Sequence, residues 1–118
     1  MLSLLIKEEI KNYFPEMVKL RRYMHMNPEV SFHEKNTAKF IENYLRELGI
    51  KDVKTNIGLN GVVARIKGKD SSKTLAFRAD FDALPINDEK DVDYKSKIQN
   101  TMHACGHDGH TVSLLATC

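Results

Sequence analysis

Three imidazoles and a thiol fall within eight residues in His103-Ala104-Cys105-Gly106-His107-Asp108-Gly109-His110. Imidazole and thiolate are the preferred donors for zinc-like ions, so the segment reads as a candidate metal site. Gly106 and Gly109 let the backbone fold closely round an ion. Cys105 and His107 can both reach one metal across a tight turn. His110, three residues beyond His107, shares its face if a helix has already begun. The competing reading is a helix amino terminus with surface histidines and one buried thiol. A second candidate is Asp80 with Asp82, two residues apart where an apolar run ends. On extended backbone both carboxylates point to the same side, and in open α/β sheets ligands bind at the carboxyl ends of strands. Such a pair can ligate a cation or hold a histidine ligand by its far ring nitrogen. The alternative is a solvated strand end with an aspartate capping the turn at Ala83-Leu84-Pro85.

These residues need a scaffold. Leu2, Leu5, Ile6, Ile10, Tyr13, Phe14, Met17, Val18, Leu20 and Met24 recur mostly at three- and four-residue intervals, predicting a helix from Leu2 to about Met26, bent at Pro15. Asn27-Pro28 breaks it, because a residue before proline is pushed out of the helical region. A second helix is expected from about Glu34 to Leu48, with Thr37, Phe40, Ile41, Tyr44, Leu45 and Leu48 on one side and Gly49 as its stop. The period then changes. Val53, Thr55 and Ile57 alternate, Gly58 to Gly61 turns the chain into Val62 to Ile66, and Thr74 to Ala79 suits a strand buried on both faces. Three strands are predicted, then a polar loop from Asp82 to Thr101 and the start of a helix over Gly106 to Ala116. A three-stranded α/β sheet ending a few residues into that helix would lack cover on an edge and a face, so the chain is expected to be a fragment.

The 118 residues bound the chain to one domain, and the 42% hydrophobic content is ordinary for a globular protein. Eighteen basic and 16 acidic residues leave a formal charge of +2, and no basic run traces a nucleic-acid footprint. The longest apolar stretches fall far short of the roughly 20 residues that cross a bilayer. Neither nucleic acid nor membrane is an expected partner. The start, Met1 to Glu9, has no basic leader, and a cytoplasmic location is expected. Cys105 and Cys118 are the only cysteines; the histidines flanking Cys105 favour a metal or reactive thiol over a disulfide, which suits a reducing compartment. His25 and His33 read as structural or exposed, Glu29 and Glu34 as caps at the helix junction, and Met17, Met24 and Met26 as packing. No Gly-Xaa-Ser-Xaa-Gly, phosphate-binding loop or dinucleotide fingerprint is present.

Three separated segments carry a resemblance: Arg21 to Glu34 (RRYMHMNPEVSFHE), Phe77 to Ile86 (FRADFDALPI) and Met102 to His110 (MHACGHDGH). In order and spacing the chain resembles the opening third of bacterial hippurate hydrolases and N-acyl-amino-acid amidohydrolases (aminoacylases), with plant auxin-conjugate hydrolases as relatives. The resemblance implies an α/β, zinc-peptidase-like catalytic domain that is incomplete: two amino-terminal helices, then strands, then the start of a metal-site helix. Residues 1–118 would be its amino-terminal portion, with the remainder and an inserted dimerisation or lid domain absent. It implies Cys105 and His107 as metal ligands and Asp82 as the catalytic, orienting carboxylate. Asp80 stands where related metallopeptidases have a metal-binding histidine, and the resemblance carries no ligand role onto it; nor does it place His110 on the metal. The implied reaction is metal-dependent hydrolysis of the amide bond of N-acyl amino acids, using two divalent ions such as manganese or zinc and a glutamate base lying beyond Cys118. The implied partners are a small-molecule substrate and further copies of the parent protein in a homodimer or higher oligomer. The competing function is a non-catalytic metal-binding or interaction module.

Overall fold

The computed structural model describes residues 1–70 and 72–118. Helix α1 runs from Leu2 to Met26 and continues across Pro15. It stops where the sequence requires: Asn27 donates its side-chain amide to the Tyr23 carbonyl at 2.7 Å, and Pro28 follows. Only its second half is packed. Leu20, Met24 and His25 are buried, while Leu2, Leu4, Leu5, Ile6, Ile10 and Phe14 are exposed, so the apolar stripe outruns the surface that covers it.

Helix α2 spans Lys35–Glu47 and buries Thr37, Ile41 and Leu45, spaced four apart along one side. Its free amides are capped from outside the helix. Glu34, at the N-cap, makes no side-chain cap bond, whereas the Glu29 carboxylate accepts the Asn36 and Thr37 amides at 3.2 and 2.7 Å and the Thr37 hydroxyl at 2.8 Å. At the other end Gly49 takes φ +86°, with Gly49 N–H donating to Arg46 O and Ile50 N–H to Leu45 O. That crossed pair is a Schellman stop, and Ile50 packs back onto the cluster containing Leu45.

Strands β1 (Asp52–Ile57) and β2 (Gly61–Arg65) form an antiparallel hairpin with Val53 opposite Ala64 and an irregularity between Lys54 and Ile57. At Gly61 any Cβ would lie 2.3 Å from the Ile57 carbonyl oxygen, so only glycine permits this closure. Helix α3 covers His107–Leu115 after Gly106 at φ +84°. Two adjoining clusters make the core: Ile41, Leu45, Val53 and Leu115 between α2, the hairpin and α3, and Leu20, Met24 and Val112 between α1 and α3. Phe81 packs against both.

The expected third strand, Thr74 to Ala79, is not formed. Its residues have no strand assignment, and Leu75 and Phe77 are 83% and 73% exposed. A strand exists only through its hydrogen-bonded neighbours, and among the described residues β1 and β2 pair with each other alone. Just beyond it the chain is held again, by single bridges from Ala83 to Val30 and from Leu84 to Met102. Among the described residues, no helix is long and apolar enough to cross a membrane.

The expected loop after Asp82 is ordered around Asp88, which is buried. One carboxylate oxygen accepts the Lys90 amide and ammonium at 3.2 and 2.8 Å, and the other accepts the Ser96 amide at 3.0 Å. Burial by itself would raise this pKa, but the Lys90 ammonium and the two amides outweigh it and hold the carboxyl well below the usual range. The unfolded chain therefore takes up this proton first. The contribution is fully present above the ordinary value of 3.8 and is lost as pH falls from there toward the folded pKa. Asp88→Asn is expected to lower stability at neutral pH and to flatten the decline in acid, as read by denaturant unfolding across pH.

Candidate metal centre

The two sequence candidates converge in space. Ligand atoms of Asp80, Asp82 and His107 lie within 4.8 Å of one another. His107 opens α3 directly after the left-handed Gly106, and the hydrogen bond from Thr111 Oγ1 to the Asp80 carbonyl at 2.8 Å ties that helix to the aspartate segment. His107 Nδ1 lies 2.8 Å from Asp82 Oδ1 and 3.0 Å from the Asp82 carbonyl oxygen. With Nδ1–H donating to these acceptors, Nε2 is the ring atom free to ligate. A carboxylate that fixes tautomer and ring direction in this way is the usual support of a metal-bound histidine, so the donors present fit a divalent cation.

Asp82 is held in turn. Its Oδ2 accepts the Ser31 hydroxyl at 2.5 Å. Ser31 is the largest cause of a carboxyl pKa below the ordinary value; burial opposes it and His107 adds to it. Asp80 is turned partly outward by an ion pair from Arg78 at 2.9 Å, which competes for its charge. Cys105 is exposed and lies outside the cluster of Asp80, Asp82 and His107. His110 is exposed, with its ring 5.8 Å from that of His107.

Two residues that sequence reasoning left in the background are deeply buried. His25 lies with Nδ1 2.8 Å from Asp108 Oδ2 and Nε2 3.3 Å from Asp88 Oδ2, and Arg21 Nε reaches the same Asp108 oxygen at 2.8 Å. The structural role expected of His25 fits this placement. His103 is 4% exposed, and neither ring nitrogen has a hydrogen-bond partner among the described residues. Burial, reinforced by His25 and His107 against Asp108 and Asp82, pushes its pKa down and keeps the ring neutral. Ser31 and Asp108 were missed as well. The only sequence signal was indirect: Arg21 and His25 are one helical turn apart, and Asp108 directly follows a proposed ligand.

Residues 76–118 match peptidase family M20/M25/M40. Over that stretch the chain is similar to the M20 peptidases. The Bacillus subtilis protein YhaA, described as a candidate amidohydrolase, is 55% identical over 94% of this chain and 28% of its own length. The hippurate hydrolase of Campylobacter jejuni is 48% identical over 91% of this chain and 28% of its own. The fold agrees too: Bacillus subtilis YXEP, a dinuclear metal-binding peptidase of the M20 family, superposes with TM-score 0.83 at 42% identity, covering 89% of this chain and 29% of that one. The chain thus spans under a third of the length of each of these relatives, and its two amino-terminal helices, hairpin and α3 share that structure's fold.

Ser31→Ala in the full-length protein is expected to weaken metal binding by up to about tenfold, since it frees Asp82 to turn away from His107. Competition with a chromophoric chelator at fixed pH measures this; an unchanged affinity would deny Ser31 any part in holding the site.

Proposed function

We propose that residues 1–118 are the amino-terminal portion of the catalytic domain of a metal-dependent amidohydrolase that cleaves the amide bond of N-acyl amino acids, hippurate-like or N-acetyl. The single observation that carries this reading is the Ser31–Asp82–His107 chain of hydrogen bonds, beside which Asp80 brings a third ligand atom to within 4.8 Å of those of Asp82 and His107. The relatives named as an amidohydrolase and a hippurate hydrolase support the choice of reaction.

In this reading His107 and Cys105 hold metal, and Asp82 sets the direction of His107. Two bound divalent ions, manganese, zinc or similar, would supply Lewis-acid polarisation of the amide carbonyl and a more acidic water. Asp82 accepts the hydrogen bond from His107 Nδ1–H throughout, with the proton staying on the ring, and keeps the ring from turning. The general base and remaining ligands come from sequence beyond Cys118, as does the domain through which the parent would form a homodimer or higher oligomer. The chain alone is therefore inactive.

The test is hydrolysis of N-benzoyl- and N-acetyl-amino acids, with added manganese or zinc, by the full-length protein and by the 118-residue chain side by side. The expected result is turnover by the first and none by the second. Cleavage of unblocked peptides but of no N-acyl amino acid by the full-length protein would overturn the substrate class. Metal binding without hydrolysis of either would favour a non-catalytic module.

A further inference from the structure

Resting on the proposed metal centre, we infer that Arg21, His25 and Asp108 form a clamp that sets the rotation of α3 and thereby the direction in which His107 meets its metal. Asp108 is the residue after His107, in the first turn of α3, and its side chain is 1% exposed. One carboxylate oxygen lies 2.8 Å from both Arg21 Nε and His25 Nδ1, donors one turn apart on α1; the other accepts the Gly109 amide at 2.9 Å. His25 is itself wedged, with its far nitrogen toward Asp88 and the Tyr94 ring edge-on at 6.0 Å, and Arg21 lies 5.5 Å from that ring.

Successive residues of an α-helix leave the axis about 100° apart. Fixing Asp108 toward α1 therefore fixes the azimuth of its neighbour His107, which is tied separately to Asp82. Two adjacent residues anchored to two different elements leave the helix end no free rotation. A bond to only one of them would not achieve this. The apolar contact of Val112 with Leu20 and Met24 holds α3 against α1, but such packing is non-directional and tolerates the few degrees of rotation that a metal ligand does not. Arg21, His25 and Asp108 are positioning residues in this scheme; none of them touches substrate or metal.

The experiment is cobalt(II) titration of the full-length protein, followed by its visible d–d spectrum and by chelator competition, for the natural protein, Asp108→Asn and Arg21→Gln. Asp108→Asn keeps the volume of the side chain but removes its charge, so that both donors can no longer be met by one anionic group. Expected for Asp108→Asn is an affinity loss of about tenfold with shifted d–d bands, at a temperature where melting shows the protein fully folded. Arg21→Gln, at a side chain 37% exposed, should change the same readouts in the same direction by less. A lower melting temperature with the natural spectrum and affinity would mark a merely structural contact and overturn the clamp. Should Asp108→Asn not fold, an unaltered Arg21→Gln spectrum and affinity overturn it equally. If the natural protein takes up no cobalt, the metal centre itself fails and the clamp with it; if it loads normally and the variants match it, only the clamp falls.

Discussion

Cys105→Ser combined with His107→Ala is expected to abolish stoichiometric metal in the full-length protein and, with it, hydrolysis of N-acyl amino acids. His107 is the group on which two lines of support end, Ser31 through Asp82 and the first turn of α3. Removing its ring leaves Asp82 and Asp80 as a carboxylate pair with no imidazole between them. Two half-buried carboxylates, one already paired with Arg78, are a weak and unselective cation site. Elemental analysis after gel filtration measures the metal. Metal retained in the double variant would mean that the ligands lie elsewhere. The single variants separate the two contributions: His107→Ala should cost more than Cys105→Ser if the supported ring is the organising ligand.

Met24→Ala is expected to destabilise the fold by about 2–5 kcal/mol, the usual range for emptying a closed core site. Met24 is 2% exposed and packs with Leu20 and Val112 where α1 meets α3. It lies one residue before His25, so loss of its side chain loosens the seam that also carries the buried ion cluster. Denaturant unfolding of the variant gives the cost. A change below about 1 kcal/mol would show that the long, flexible neighbouring side chains refill the space.

The helices were legible because their signals are local. The period of α2, Gly49 after it and Pro28 after α1 each act within a few residues, and both helices end within a residue or two of their predicted bounds. The convergence of Asp82 on His107 could be anticipated from chemistry, since a strand-end carboxylate and an imidazole ligand are natural partners, but not the direction from which it is held. Ser31 reaches Asp82 across 51 residues of sequence, and His25 reaches Asp108 across 83. No periodicity reports such pairs. Thr74 to Ala79 failed for the opposite reason: its composition suits a buried strand, but composition does not supply a neighbour. Cys105 and His107, close together in the motif, differ in their surroundings because the left-handed Gly106 between them turns the backbone.

The unpaired run from Thr74 to Phe77 has a colloidal consequence. Backbone that joins no ladder among the described residues, carrying Leu75 and Phe77 outward, is a template onto which a second molecule can add a strand. Lys73 and Arg78 stand at either end of it, placing like charge against like charge when two copies approach in register. Salt screens that repulsion without weakening the apolar attraction, so concentrated solutions of the 118-residue chain should become turbid as ionic strength rises, the reverse of an association driven by opposite charges.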